Sequence, residues 1–181
     1  TPGHSSAASD VYKRQALGLM SGTSMDGIDA SIISSDGDRE YSVIVDKYYK
    51  YGEKFRDDLS YIRSKILTNE DLASFVTEIE ALERELTLLH ANAANDIAEK
   101  NDLNIDFIGF HGHTLFHDSK KKISKQIGDG NLLSQLCKKD VIYNFRQNDI
   151  ENGGEGAPLA PLFHSLIAVS YTHLRAHETV V

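Results

Sequence analysis

The 181-residue chain predicts an α/β fold: a mixed sheet with an antiparallel meander at its N-terminal end and helices flanking it. Three observations carry that expectation. Residues 16–51 hold three apolar, β-prone runs separated by short Gly/Ser/Asp turns, the pattern of consecutive antiparallel strands. Residues 53–100 change to a helical period. Beyond them an unbroken apolar run, Ile105–Phe110, is of the kind buried on both faces, and strand and helix patterns then alternate to the end of the readable pattern.

Taken in order, Ala16–Met20 is a short strand ending in a Ser/Gly/Thr turn, and Ile28–Ser34 follows with apolar residues at Ile28, Ala30 and Ile32. Asp36-Gly37-Asp38 marks the next turn, and Tyr41–Tyr51, rich in Val, Ile and Tyr, is the third strand. Helices are expected over Glu53–Ile66 and Asn69–Lys100, the second with Asn69 as N-cap and Glu70 and Asp71 in the first turn. Its apolar stripe runs Leu72, Phe75, Val76, Ile79, Leu82, Leu86, Leu89, Ala93 and Ile97, and Glu78, Glu83, Arg84 and Glu85 form a solvated face. Ser124–Ile127 is a short strand, Asp129 or Asn131 caps a helix to Lys138, Val141–Phe145 returns as strand, and Pro158 opens a helix over Leu159–Ala168.

Bulk composition narrows the function. At 40% hydrophobic and 25% charged, the chain suits a globular domain with a real core. A formal charge of −8 excludes nucleic acid as a bulk partner. The single Cys137 excludes a disulfide framework and reads as a small buried residue of its helix. No apolar run approaches the roughly 20 residues that span a bilayer, and no signal segment opens the sequence, so the cytoplasm is the expected compartment. Both ends depart from these patterns. Thr1–Gln15 and Ser170–Val181 resemble translated library-adapter sequence and are set outside the fold, with His4, His173 and His177.

Three segments carry candidate chemistry. In Met20-Ser21-Gly22-Thr23-Ser24-Met25-Asp26-Gly27, glycines let main-chain N–H groups converge on a phosphate and hydroxyls donate to the same oxygens. Asp26 can hold magnesium through its water shell; the same string also fits an ordinary polar hairpin. Neither a Walker A string nor G-x-G-x-x-G occurs. His111-Gly112-His113-Thr114 stands at the end of a buried strand, where α/β sheets bind ligands. It reads as hydrogen-bond donors to a sugar or phosphate, as a metal pair that His117 joins, or as surface histidines. In Asn144–Pro161, Arg146 can fork onto a carboxylate or phosphate and Asp149 can accept from sugar hydroxyls or orient Arg146. Gly153, Gly154 and Gly156 permit close approach just before a helix; a flexible loop is the plain alternative.

In this order, G-L-M-S-G-T-S-M-D-G-I-D-A, I-G-F-H-G-H-T-L-F-H, Q-I-G-D-G-N-L-L and N-F-R-Q-N-D-I-E-N-G-G-E-G-A-P-L-A-P-L-F-H resemble the anhydro-N-acetylmuramic acid kinase family over nearly all of Ala16–Ala168. The resemblance implies an actin-like (ribonuclease-H-like) ATPase domain, residues 16–169 being the N-terminal domain of a larger protein. It implies that Gly22, Thr23, Ser24, Met25, Asp26, Gly27, Ile28 and Asp29 bind ATP and Mg2+. It also implies that His111, His113, Thr114, Arg146, Asp149, Gly154, Gly156, Ala157 and Pro158 line the sugar side. The family reaction opens the 1,6-anhydro ring with water and phosphorylates O6 from ATP, in cell-wall (peptidoglycan) recycling. The family's general-base aspartate lies in an F-D-x-G-P-G-N stretch that is absent here, so a truncated fragment without turnover of its own is expected. The partners implied are the amino sugar and ATP, with a homodimer of the full-length protein left open. His113 and Glu155 stand where the family often has glutamine. Two further functions remain open: a non-catalytic nucleotide-binding actin-like domain, and a metal hydrolase built on His111 and His113.

Overall fold

A computed structural model describes residues 12–118, 121–159 and 163–164. Three strands open the fold as an antiparallel meander: β1 (Arg14–Met20), β2 (Gly27–Ser35) and β3 (Tyr41–Lys50). Two more strands, β4 (Phe107–Phe110) and β7 (Asp140–Tyr143), extend the sheet on the other side of β1, giving the order β3-β2-β1-β4-β7. β1 pairs with β4, and β4 with β7, in parallel, so the sheet is mixed. A separate hairpin joins β5 (His113–Asp118) to β6 (Ile123–Ile127). The expectation of a mixed α/β fold with a leading meander and flanking helices holds, and this arrangement is consistent with an actin-like ATPase domain.

Period-2 alternation sets the two faces of the sheet. Leu17 and Leu19, Ile28, Ala30 and Ile32, and Ile108 and Phe110 point to one side and are buried there. Against them pack α1 (Glu53–Lys65) and the long α3 (Val76–Lys100), through Phe55, Leu59, Ile62, Leu82, Leu86 and Ile97. The opposite face shows Met20, Tyr48 and Ile142 at the surface. Asp96 of α3 clamps the helix to β3, accepting from Lys47 Nζ at 2.6 Å and Tyr49 Oη at 2.7 Å. Hydrogen bonds from Lys100, Lys47 and Tyr49 hold its carboxyl well below the usual carboxylate range. Among the described residues no helix is long and apolar enough to cross a membrane.

Several element expectations are corrected. The single helix expected over Asn69–Lys100 is two, α2 (Asn69–Ser74) and α3, because Phe75 leaves helical geometry at φ −121°, ψ 26°. Val76, placed on the core stripe, is therefore exposed. The cap of α2 is Thr68, not Asn69: the Asp71 carboxylate accepts from the Thr68 amide at 2.7 Å and the Leu67 amide at 3.0 Å. Glu83 is no mere solvated charge, since its carboxylate accepts from the Gly128 amide at 3.0 Å. β1 begins at Arg14, and Gln15 exchanges backbone bonds with Asp106, its amide donating to the carboxylate at 2.7 Å and its carbonyl accepting from the Asp106 amide at 2.9 Å. Arg14 and Gln15 thus lie inside the fold.

Asp129 caps α4 (Gly130–Cys137), its side chain accepting from the Leu132 amide at 2.9 Å, as one of the two expected caps. Cys137 is half-buried at the end of that helix, and burial pushes its thiol up to about 11. The segment after β7 is not all loop: Phe145–Glu151 forms a short helix, α5, so Phe145 begins a helix instead of closing a strand. Of the helix expected over Leu159–Ala168, only Leu159, Phe163 and His164 are among the described residues.

Candidate functional site

Strand order brings the three candidate segments together. β1, β4 and β7 run parallel as neighbours, so Met20, Phe110 and Tyr143 end on the same edge of the sheet. The Gly-rich turn, the histidine segment and Arg146 each follow one of those ends. The His111 amide donates to Leu19 O at 3.1 Å, tying the second segment to the first. Ligands of α/β sheets bind outside the carboxyl ends of parallel strands, which is this edge.

The turn after β1 is tight and internally bonded. Met25 adopts φ 57°, and its amide donates to Gly22 O at 3.1 Å. The Tyr51 amide donates to Asp26 O at 2.8 Å, anchoring the turn to the end of β3. Gly27 has no room for a side chain, because a Cβ there would stand 2.4 Å from Tyr49 O and 2.6 Å from the Tyr48 ring. Thr23, Ser24, Asp26 and Asp29 are exposed, Gly22 and Met25 half-buried, and Ile28 lies in the core, where its side chain holds β2 rather than a ligand. The Ser24 hydroxyl donates to the Asp26 carboxylate and is the main reason its pKa is lowered. Asp26 therefore stays ionised, as a carboxylate facing a hydrated cation must.

Gly112 lets the chain reverse from β4 into β5. Its φ is +67°, and a Cβ would meet Ile127 O at 2.3 Å. His111 is half-buried; Arg146 Nε donates to its Nε2 at 3.1 Å, and Gln126 Nε2 donates to its carbonyl at 2.9 Å. A guanidinium can only donate, so His111 Nε2 carries the lone pair and Nδ1 the proton, which faces Gly112 O at 3.0 Å. Burial, then the Arg146 charge, lowers the His111 pKa and keeps it neutral. His113 is fully buried, with Nδ1 3.2 Å from the hydroxyl of buried Ser21. Desolvation first, then the Arg63 charge, pushes His113 down to about 4. Neither His113 Nε2 nor Thr114 Oγ1 has a hydrogen-bond partner.

Arg146 and Asp149 share one face of α5 and grip the glycine loop between them. Arg146 Nη1 donates to Gly156 O at 2.6 Å, and the Gly156 amide donates to the Asp149 carboxylate at 2.7 Å. Gly156 is buried at φ +83°, and at Gly154 a Cβ would stand 2.2 Å from the same carboxylate. In this arrangement both charged side chains shape the loop, while Ala157 is exposed and Pro158 half-buried beside it. Arg146 on His111 Nε2 also occupies the nitrogen that a metal would need. Among the described residues no group of three His, Cys, Asp or Glu side chains is placed to hold a metal ion.

Two cavities flank this edge. One, of about 640 Å³, lies on the open sheet face, where Asp29, Tyr48, His111 and Leu159 line it. The other, of about 670 Å³, opens between the Gly-rich turn, α1 and β5, and touches Thr23, Arg63, Thr114 and Arg146. Both sizes suit small ligands. Tyr51, Arg63 and Gln126 were not foreseen as site residues, and Ser21 was foreseen only as one of the turn's hydroxyls. Ser21 sits within the Gly-rich string, but nothing in sequence pairs it with a histidine 92 positions away. Arg63 and Gln126 lie in ordinary helix and strand patterns, and only the fold brings them to the edge.

Comparison with known proteins agrees with the architecture. The family profile described as anhydro-N-acetylmuramic acid kinase matches residues 14–178, from the first residue of β1 onward. A relative of that name from Pelagibacter ubique (strain HTCC1062) is 55% identical over 152 residues, covering 84% of this chain and 40% of the relative. One from Gluconobacter oxydans (strain 621H) is 43% identical over 84% of this chain and 42% of its own length. One from Brucella canis is 38% identical over 87% of this chain and 43% of its own. The chain thus spans about two-fifths of the length of these relatives. With its motifs converging on one sheet edge and its match running through all seven strands of the described residues, the chain belongs to the anhydro-N-acetylmuramic acid kinase family.

Proposed function

We propose that this chain supplies the N-terminal, phosphate- and sugar-facing part of an ATP-dependent kinase acting in the cytoplasm on 1,6-anhydro-N-acetylmuramic acid. The convergence of three ligand-suited segments on the carboxyl ends of β1, β4 and β7, in a member of this family, carries the reading. Residues 16–169 form the domain, with Arg14 and Gln15 joined to it through β1.

In this reading the main-chain amides and hydroxyls of Gly22–Ser24 cradle the ATP phosphates, and Asp26 faces Mg2+ through water. Mg2+, when bound, would supply positive charge against the phosphates. His111, Thr114 and the Gly154–Pro158 loop face the sugar. Arg146 and Asp149 hold that loop from both sides of Gly156. His113, being fully buried, acts through Ser21 on the shape of the turn and does not touch the sugar. Water gives a proton to the general base expected in the remainder of the protein and adds at C1, the C1–O6 bond of the anhydro bridge opens, and O6 takes the γ-phosphoryl group while ADP leaves. Phosphoryl transfer of this kind depends on positioning and charge stabilisation more than on covalent chemistry by the protein.

The test is a pair of nuclear-magnetic-resonance titrations of the 181-residue chain. Mg-ATP is expected to shift the Gly22–Asp29 amides, and the anhydro sugar those of His111–Thr114 and Gly154–Ala157. Asp26→Asn should weaken the magnesium-dependent part of the first effect. If neither ligand moves its segment, the assignment is wrong.

A further inference from the structure

Arg63 stands in the last turn of α1, half-buried, where Nη1 donates to Thr114 O at 3.0 Å and Leu115 O at 3.1 Å. These bonds fix the guanidinium against β5 but engage only one of its three nitrogens. Among the described residues no carboxylate lies within ion-pair distance of it. Its charge nevertheless reaches the interior, where it helps to lower the pKa of buried His113.

Arg63 lines the cavity of about 670 Å³ beside the Gly-rich turn. Thr23, Ser60, Arg63, Thr114, His117 and Arg146 all line it. Among the described residues no Asp or Glu does, in a chain that carries 27 acidic residues against 19 Lys and Arg. Two arginines with no ion-pair partner among the described residues, beside Thr114 whose hydroxyl has no hydrogen-bond partner there, make a pocket suited to a ligand with an anionic group. Of the two cations, Arg146 already donates from Nε to His111 and from Nη1 to Gly156. Among the described residues, Arg63 donates only from Nη1, to the Thr114 and Leu115 carbonyls.

We infer that Arg63 pairs with the lactyl carboxylate of the amino sugar and so sets the preference for the acidic sugar over its neutral counterpart. The inference rests on the sugar-kinase reading above and adds to it a specificity-determining contact. That carboxylate is the one anionic group of the sugar, and it is what separates a muramic from a glucosamine derivative. The planar fork of a guanidinium suits a carboxylate better than a phosphate cradle built of main-chain amides would. Thr23 of the phosphate turn lines the same cavity, so a sugar held by Arg63 remains beside the turn.

The experiment is calorimetric titration of the 181-residue chain with 1,6-anhydro-N-acetylmuramic acid and with 1,6-anhydro-N-acetylglucosamine, which lacks the lactyl group. The unaltered chain is expected to prefer the acidic sugar by roughly tenfold or more, the effect of one charge-assisted bond. Arg63→Gln should bring the ratio near one, and Arg63→Lys should restore part of it, since an ammonium keeps the charge but not the fork. Because Arg63 also ties α1 to β5, Arg63→Gln is checked for a cooperative melt. If it does not fold, Ser60→Glu decides, placing a negative charge on an exposed position of the same cavity and lowering the ratio. Equal binding of the two sugars by the unaltered chain overturns the inference alone. So does a ratio that survives Arg63→Gln in a folded protein, a ratio unmoved by Ser60→Glu, or a loss confined to ATP binding. If neither sugar binds, the sugar-kinase reading itself fails and the inference with it.

Discussion

Acidifying the protein from pH 7.5 to 4.5 favours the unfolded chain, whose histidines take up protons that the fold denies to two buried imidazoles. His90 lies inside α3, with Nδ1 2.8 Å from Leu86 O and its ring edge-on to Phe110; His113 sits against Ser21. Both are fully buried, and desolvation pushes each from 6.5 down to about 4. The native state then binds fewer protons than the unfolded chain in this range. The stability the two groups contribute is complete above about pH 6.5 and is lost as pH falls towards 4. At ~1.36 kcal/mol per unit, each group forfeits on the order of 2–3 kcal/mol by pH 4.5. Two such groups remove about 5 kcal/mol, comparable with the whole stability of a marginal domain. Urea denaturation at the two pH values reads this directly. His113→Gln, a neutral polar side chain that does not titrate, should cut the pH-dependent loss to about half. An unchanged pH dependence in that variant, or a His113 ring that titrates near 6.5 by nuclear magnetic resonance, would refute the reasoning.

Three further outcomes follow from the same geometry. Gly112→Ala forces a side chain into φ +67° and to 2.3 Å from Ile127 O, so a loss of roughly 1–3 kcal/mol or more is expected in thermal melts; a native melting temperature would contradict it. Asp71→Ala removes the acceptor for the Thr68 and Leu67 amides and should cost about 0.5–2 kcal/mol, with the loss of exchange protection largest in α2. Cys137, its thiol pushed up to about 11, should react with iodoacetamide at pH 8 far more slowly than a small free thiol, and a matching rate would show the burial to be wrong.

What could be read in advance followed from local rules. The meander was visible because three apolar strands are separated by short turns, and such strands pair with their sequence neighbours. The long helix was visible because its stripe repeats over many turns, and Ile79, Leu82, Leu86, Ala93 and Ile97 are indeed buried. Its break at Phe75 was not, since one residue leaving helical geometry does not disturb the apolar spacing. α5 was missed because seven residues between two turn signals carry too few apolar positions to show a period, and Arg146 and Asp149 were therefore assigned to a loop. β5 was missed because its polar histidines and threonine hide the alternation of His113 and Leu115 into the interior.

The site divides in the same way. By itself the sequence determined that three glycine-bearing, hydroxyl- and charge-bearing strings stand after apolar strands, and that their order is that of one kinase family. Only the tertiary structure decided that these strings meet, because strand order β3-β2-β1-β4-β7 pairs β1 with residues 91 positions further along. It also decided roles that composition cannot assign. His111 faces Arg146 and stays neutral at the edge, while His113, two residues away, turns inward to Ser21; Arg63 comes to the cavity from a helix whose sequence marks it only as a surface charge. The physical reason is that a side chain's chemistry is set by burial and by neighbours distant in sequence, and neither is a property of the local string.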